Sequence, residues 1–174
     1  KRPQGRGVTG GEALLRTARM LGVLRCFSGP AYVIGGQNMV IAHDEDVRTY
    51  MEVILSGKIE TVLVDQYLMG KELEVDVISD GKDVLIPGVM QHIERTGVHS
   101  GDSIAVYPPF PLATDAQDHH RLLGKAGPQP KTRGLINIQY LIYQGELYVI
   151  EVNPRASRTV PYISKVTGVP MVDL

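Results

Sequence analysis

Residues 135–153 read LINIQYLIYQGELYVIEVN, and the fold turns on how that stretch is divided. Apolar and polar residues alternate on both sides of a Gly-containing turn, which predicts the two antiparallel strands of a hairpin. A three-residue loop, Gln144-Gly145-Glu146, sets Gln139 opposite Glu151 and Asn137 opposite Asn153. The other face then carries Ile136, Ile138, Tyr140, Ile142, Tyr148, Ile150 and Val152, a set fit for a core. On the polar face Leu141 and Val149 follow toward the turn, so that face is not simply a solvated surface. Three or four oxygen-bearing side chains grouped there, with no Lys beside them, suit a hard cation such as Mg²⁺. The plain alternative is a wet patch on a half-exposed hairpin.

The residues after the hairpin shift that balance. Pro154 stops the strand, and Arg155 and Arg158 follow in NPRASRTVP. A helical turn beginning within 156–164 would put the two guanidinium groups, three residues apart, on one side. Arg suits planar, bidentate recognition of phosphate oxygens. Both arginines could instead pair with surface carboxylates, but a Mg²⁺–phosphate site explains the whole cluster better.

Bulk properties set bounds around this site. With 174 residues the chain is long enough to bury a real core, as one domain or as two small lobes. A formal net charge of −1, with 43% hydrophobic and 21% charged residues, gives no electrostatic case for nucleic acid or anionic membrane. The longest apolar runs fall well short of a membrane span. The single cysteine, Cys26, excludes an internal disulfide framework and fits a reducing compartment, so a cytoplasmic protein is expected. The chain opens at Lys1 rather than Met, which suits a piece of something larger.

Outward from the hairpin, GEALLRTARML at 11–21 has helical spacing. Residues 32–34 read as a short strand running into Gly35-Gly36-Gln37-Asn38, and extended structure resumes at 39–42. Residues 44–55 read as a helix with Asp44 as N-cap. Residues 61–68 form an apolar strand, 74–78 alternate as another, and 84–89 complete a hairpin across the Asp80-Gly81 turn. Residues 92–103 are loop-like. Strands without regular βαβ alternation favour an α+β fold over a doubly wound one. Two stretches fit poorly. RCFSGP at 25–30 should be a buried strand yet holds Ser, Gly and Pro, and residues 115–133 should be a helix yet carry a Gly and two prolines within AGPQPK.

Three weaker motifs complete the reading. Gly35-Gly36 could let backbone N–H groups approach phosphate oxygens, or be a plain turn. Glu74, with Asp76 on the same face, could accept both ribose hydroxyls of a nucleotide, or lie on a solvated edge. Gly97-Val98-His99-Ser100 could line a nucleotide pocket, although a lone loop His is more often structural. Nothing pairs a nucleophile with a base, so covalent catalysis has no support.

Taken in order, AYVIGGQNM at 31–39, VLVDQYLMGKELEVDVI at 62–78, HIERTGVHSGDS at 92–103, GLINIQY at 134–140 and IEVNPRASRTVPYISKVTGVP at 150–170 resemble the ATP-grasp domain of carbamoyl-phosphate synthetase large chains. HIERTGVHSGDS and RASRTVP look like the C-terminal, carbamate-phosphorylating half. The resemblance implies a small lid lobe over 1–68 and a larger antiparallel-sheet lobe over 69–174. It implies ATP with Mg²⁺ (or Mn²⁺), and carbamate as the phosphoryl acceptor. As partners it implies the rest of the large chain and a glutaminase small subunit.

Residue by residue, Gln139, Glu151 and Asn153 match the family's metal ligands, and Gln139 and Glu151 also face the nucleotide. Arg155 and Arg158 match the arginines facing the transferred phosphoryl group, and Glu74 the ribose-binding acid. Gln66 and Leu68 match adenine-side positions. Gly97, Val98, His99 and Ser100 match the nucleotide loop, and Gly35 and Gly36 the mobile flap. The chain departs from the pattern at Gly29, where the family has a basic residue, usually Arg, that holds ATP phosphates. Two rival readings are a remnant that folds without turnover, and an ATP-grasp ligase for another carboxylate; RASRTVP weighs against the second.

Overall fold

Strand β5 (Lys71–Asp80) determines how the larger part of the molecule is layered. Its alternation sends Leu73, Val75 and Val77 to one face and Glu74 and Asp76 to the other, and all five are buried. A strand buried on both faces is cut off from water, so its backbone donors and acceptors need paired strands on each side. In the computed structural model, which describes residues 1–21, 26–30, 40–42, 62–98, 100–110 and 132–174, β5 pairs with β9 (Arg133–Tyr143) on one side. On the other side it pairs with β7 (Met90–His92) and with the short β6 (Val84–Leu85).

The path of this sheet runs β10-β9-β5-β7-β8, with β10 at Glu146–Asn153 and β8 at Ala105–Val106. One face packs Leu73, Val75 and Val77 with Ile136, Ile138, Tyr140 and Val89. At one end of the other face, Ile78 and Leu135 meet Val160 and Ile163 of helix α2 (Val160–Thr167), together with Met90 and Met171. That helix stops at Gly168, whose φ of 74° suits a left-handed cap and whose N–H donates to the Ser164 carbonyl at 3.0 Å.

The chain divides into two compact units, Pro3–Leu68 and Met69–Leu174, the second including Lys1–Arg2. The first holds β1 (Gly5–Val8), α1 (Gly11–Met20), β2 (Cys26–Pro30), β3 (Val40–Ala42) and β4 (Val62–Gln66). Its strands lie in the order β1-β4-β2-β3, and Leu14 and Ala18 of α1 pack on Val8, Val62 and Val64. Every pairing among the described strands is antiparallel, so the α+β expectation holds. The ill-fitting 25–30 stretch is a strand after all. Its backbone pairs with both β3 and β4, and Pro30 stands at the strand end, where a missing N–H costs least. The strand expected at 32–34, the Gly35-Gly36 turn, the helix at 44–55 and most of 115–133 lie outside the described residues.

Two local expectations are corrected. The β9–β10 turn has two residues, not three: Tyr143 pairs with Glu146, and Gln144 and Gly145 adopt φ of 50° and 76°. Positive φ at both central positions is the primed turn that matches strand twist. A two-residue turn alone would oppose Gln139 with Ile150. A register shift between Val149 and Glu151 absorbs one residue and restores Glu151↔Gln139 and Asn153↔Asn137. The faces therefore exchange along β10. Leu147 and Val149 join the core face, while Ile150 is 44% exposed. The second correction concerns the helical turn expected over 156–164: the helix begins only at Val160, with Pro161 in its first turn. Proline's fixed φ suits that position, and Arg155 and Arg158 precede the helix instead of sharing a face of it.

Candidate functional site

Three strands lay out the site as two cross-strand rows on one face. Glu74, Gln139 and Glu151 form the first, and Asp76, Asn137 and Asn153 the second. Partners in register share a face and sit about 5 Å apart. Burial grades across the rows. Glu74 and Asp76 on the central strand and Asn137 beside them are buried, Gln139 and Asn153 are half-buried, and Glu151 on β10 is exposed.

The buried end is fully wired. Asn137 Nδ2 donates to Glu74 Oε1 at 2.8 Å and to Asp76 Oδ1 at 2.9 Å, so one amide bridges the two carboxylates. His92 stands between Glu74 and Glu72, with Nε2 2.7 Å from Glu74 Oε2 and Nδ1 3.4 Å from Glu72 Oε2. Burial alone would push the His92 imidazole down. Hydrogen bonds to Glu72 and Glu74, with their charge, outweigh it and raise the group to about 9. Burial likewise pushes the Glu74 carboxyl up, but the bonds from His92, Asn137 and Thr159 and the His92 charge bring it below its ordinary value. The cluster at neutral pH is thus an imidazolium clamped by two carboxylates.

The arginines sit at the end of β10. The Arg155 N–H donates to the Asn153 carbonyl at 2.8 Å, and its guanidinium donates to the Ala156 carbonyl at 3.1 Å. Arg158 donates through both Nη atoms, to the carbonyls of Gly101 at 2.7 Å and Ser103 at 3.0 Å. Arg158 therefore ties the segment after β10 to the short helical turn Ser100–Asp102. Both side chains are exposed.

Residues 8–174 match the family model described as carbamoyl-phosphate synthase L chain, ATP binding domain. The chain belongs to this family. It is 50% identical over 179 residues to the carbamoyl phosphate synthase large chain of Clostridium perfringens (strain 13 / Type A). It is 52% identical over 179 residues to that of Lachnoclostridium phytofermentans. Each match covers 99% of this chain, which spans only 16% of the relative's length. Among solved structures, biotin carboxylase from Campylobacter jejuni superposes with a TM-score of 0.74 at 20% identity, covering 99% of this chain and 41% of that one. D-alanine–D-alanine ligase from Bacillus anthracis gives 0.69 at 18% identity, covering 99% and 58%. Those likenesses carry the fold, and the α+β fold of this carbamoyl-phosphate synthase domain is ATP-grasp, with antiparallel sheets and few helices.

Within this ATP-binding domain the expected site residues fall into three groups. Glu74, Gln139, Glu151, Asn153, Arg155 and Arg158 are gathered on the rows and at the strand end beside them. Gly97 adjoins the buried cluster: its N–H donates to Glu72 Oε1 at 3.1 Å, and its φ of 96° is one that glycine adopts without strain. Val98 is exposed beside it, and the Ser100 backbone opens the helical turn. Gln66 ends β4, and Leu68, two residues on, is buried; both belong to the other unit. Gly35, Gly36 and His99 lie outside the described residues. Glu74 is not on a solvated edge, because β5 is an inner strand.

The donor set fits a magnesium ion. Gln139 and Asn153 offer amide oxygens and Glu151 a carboxylate, all hard ligands. Asn153 Nδ2 is buried without a hydrogen-bond partner among the described residues; as a donor it would be satisfied by an acceptor oxygen of an anion beside the cation, not by the cation itself. No group of three or more His, Cys, Asp or Glu that could hold a metal ion occurs among the described residues, so the candidate set depends on its two amide oxygens.

Sequence reasoning missed His92 and Thr159. The signal for His92 was present: Met90-Gln91-His92 continues the strand alternation, so His92 points the same way as Met90, but the stretch from 92 reads as loop. Thr159 lies 83 residues from Asp76, and no local pattern signals that contact.

Proposed function

We propose that this chain binds ATP with Mg²⁺ and transfers the γ-phosphoryl group to carbamate, as one ATP-grasp domain of a cytoplasmic carbamoyl-phosphate synthase large chain. The observation that carries this reading is the register that sets Glu151 opposite Gln139 near the end of β10, where Asn153 closes the strand and Arg155 and Arg158 follow. In this reading a carbamate oxygen forms a bond to the γ-phosphorus while the bond to the ADP oxygen breaks. The products are carbamoyl phosphate and ADP.

Gln139, Glu151 and Asn153 would hold Mg²⁺, which when bound neutralises phosphate oxygens. Arg155 and Arg158 place fixed positive charge beside the transferred group, so catalysis is mostly positioning and electrostatics. No protein base is needed when carbamate arrives as the anion. Glu74 already accepts from Asn137 and Thr159 at Oε1 and from His92 at Oε2, which leaves one acceptor site on Oε2 for a ribose hydroxyl. The rest of the large chain and a glutaminase small subunit are the partners this reading requires.

Calorimetric titration with MgATP, paired with ATP formation from ADP and carbamoyl phosphate, tests the reading. Binding that EDTA abolishes and Glu151→Gln weakens is expected, with turnover lowered ~10²–10³-fold by Arg155→Ala. Binding without turnover would favour the remnant reading, for which Gly29, in the place of a phosphate-holding basic residue, is the specific sign. Turnover with a different carboxylate would favour another ligase.

A further inference from the structure

Thr159 occupies the N-cap of α2, yet its hydroxyl makes no capping bond to the helix. An N-cap threonine ordinarily accepts from the N–H of the second or third helical residue and stabilises the helix by doing so. Here the hydroxyl is 2.7 Å from Asp76 Oδ2, deep in the sheet. Asp76 is 1% exposed, and its partners among the described residues are Thr159 and the Asn137 amide. A buried carboxylate held by neutral donors costs stability, so neither partner is explained by helix capping or by packing. The single Thr159 proton is shared unequally, mainly with Asp76 Oδ2 at 2.7 Å and less with Glu74 Oε1 at 3.3 Å. Ser157 Oγ, 2.7 Å from Thr159 Oγ1, must then donate to it, while accepting the Thr159 N–H at 3.1 Å.

We propose that Thr159, gripped by Asp76, is a positioning residue that locks the 153–159 segment onto the sheet and so sets where Arg155 and Arg158 stand. The proposal rests on the reading of those arginines as facing the transferred phosphoryl group. Arg158 anchors the segment to the 101–103 backbone, and Thr159 anchors it to β5. With both anchors in place the segment cannot shift against the Gln139–Glu151 row, which lies one strand from Asp76 and beyond. The chemistry needs that fixity, because charge stabilisation by preorganised groups is lost when they must be repositioned during the reaction.

The test compares Thr159→Val, which keeps the shape and removes the proton, with Thr159→Ser, which keeps the hydroxyl, in the full 174-residue chain. Hydrogen exchange is read at the Arg155, Thr159 and Val160 amides, all of them donating to acceptors within the segment. Turnover is read as ATP formation from ADP and carbamoyl phosphate. In Thr159→Val, exchange at those amides should rise about tenfold while the β9–β10 amides stay protected. Its kcat should fall roughly 10- to 100-fold with little change in KM for MgADP, and Thr159→Ser should restore both readouts. Unchanged exchange in Thr159→Val, full kcat, or failure of Thr159→Ser to restore would each overturn the proposal. An unmutated chain that makes no ATP counts against the carbamate reading alone, and exchange at the three amides then decides the positioning role.

Discussion

At the residue scale, the His92 clamp has the clearest solution consequence. Its imidazole stands near 9 in the folded chain against an ordinary 6.5, so its contribution to stability is full below about pH 6.5 and is lost as pH rises toward 9. Chemical denaturation should report a loss of about 1–3 kcal/mol across that window, and His92→Asn should flatten the slope. Glu74 acts in the opposite sense. Its folded value is depressed, so its contribution is present above about 4.5 and disappears as pH falls through the folded value. That Gln139 opposes Glu151 was legible from the hairpin and that Glu74 shares a face with Asp76 from alternation, but that all lie on one face was not, because it depends on β5 pairing with β9. The His92–Glu72 and His92–Glu74 bonds were not, because they join β7 to β5 across a pairing that no local pattern announces.

At the element scale, the β9–β10 hairpin joins a strained turn to a register shift. Gln144 at φ 50° is the described non-glycine residue with positive φ, in a turn that favours Asn-Gly. Gln144→Asn should stabilise the chain by roughly 0.5 kcal/mol. Gly145→Ala, forced to φ 76°, should destabilise it by about 1 kcal/mol. Urea denaturation midpoints of the two variants check both signs. The hairpin itself was readable, as were the pairings Gln139↔Glu151 and Asn137↔Asn153. The expected three-residue loop reached those pairings by the wrong route, because a loop residue and a bulge residue offset the register equally. The cost of that error fell on the core face, where Leu147 and Val149 replace Tyr148 and Ile150.

At the scale of the whole molecule, the buried clusters sort by unit. Leu73, Val75, Val77, Ile136, Ile138 and Tyr140, and separately Met90, Val160, Ile163 and Met171, all fall within Met69–Leu174. Val8, Leu14, Ala18, Val62 and Val64 fall within Pro3–Leu68. A unit with its own core folds alone, so a fragment over 69–174 should give a β-rich circular dichroism spectrum and a cooperative urea transition. A featureless spectrum would show that its clusters need the first unit. No helix among the described residues is long and apolar enough to cross a membrane.

Periodicity and turn chemistry, which act over a few residues, already specify strands β3, β4, β5, β9 and β10, the α+β class, the polar face of the hairpin and the arginines at its end. Motif resemblance adds the family, because IEVNPRASRTVP is long enough to be distinctive. What periodicity leaves open is everything that depends on which strand lies beside which. The inner position of β5 turns Glu74 and Asp76 from solvated acids into buried ones, and the fold brings His92 and Thr159 against them. The physical reason is one of range. A side chain's face is set by its own backbone, whereas its burial, partners and charge state are set by segments tens of residues away.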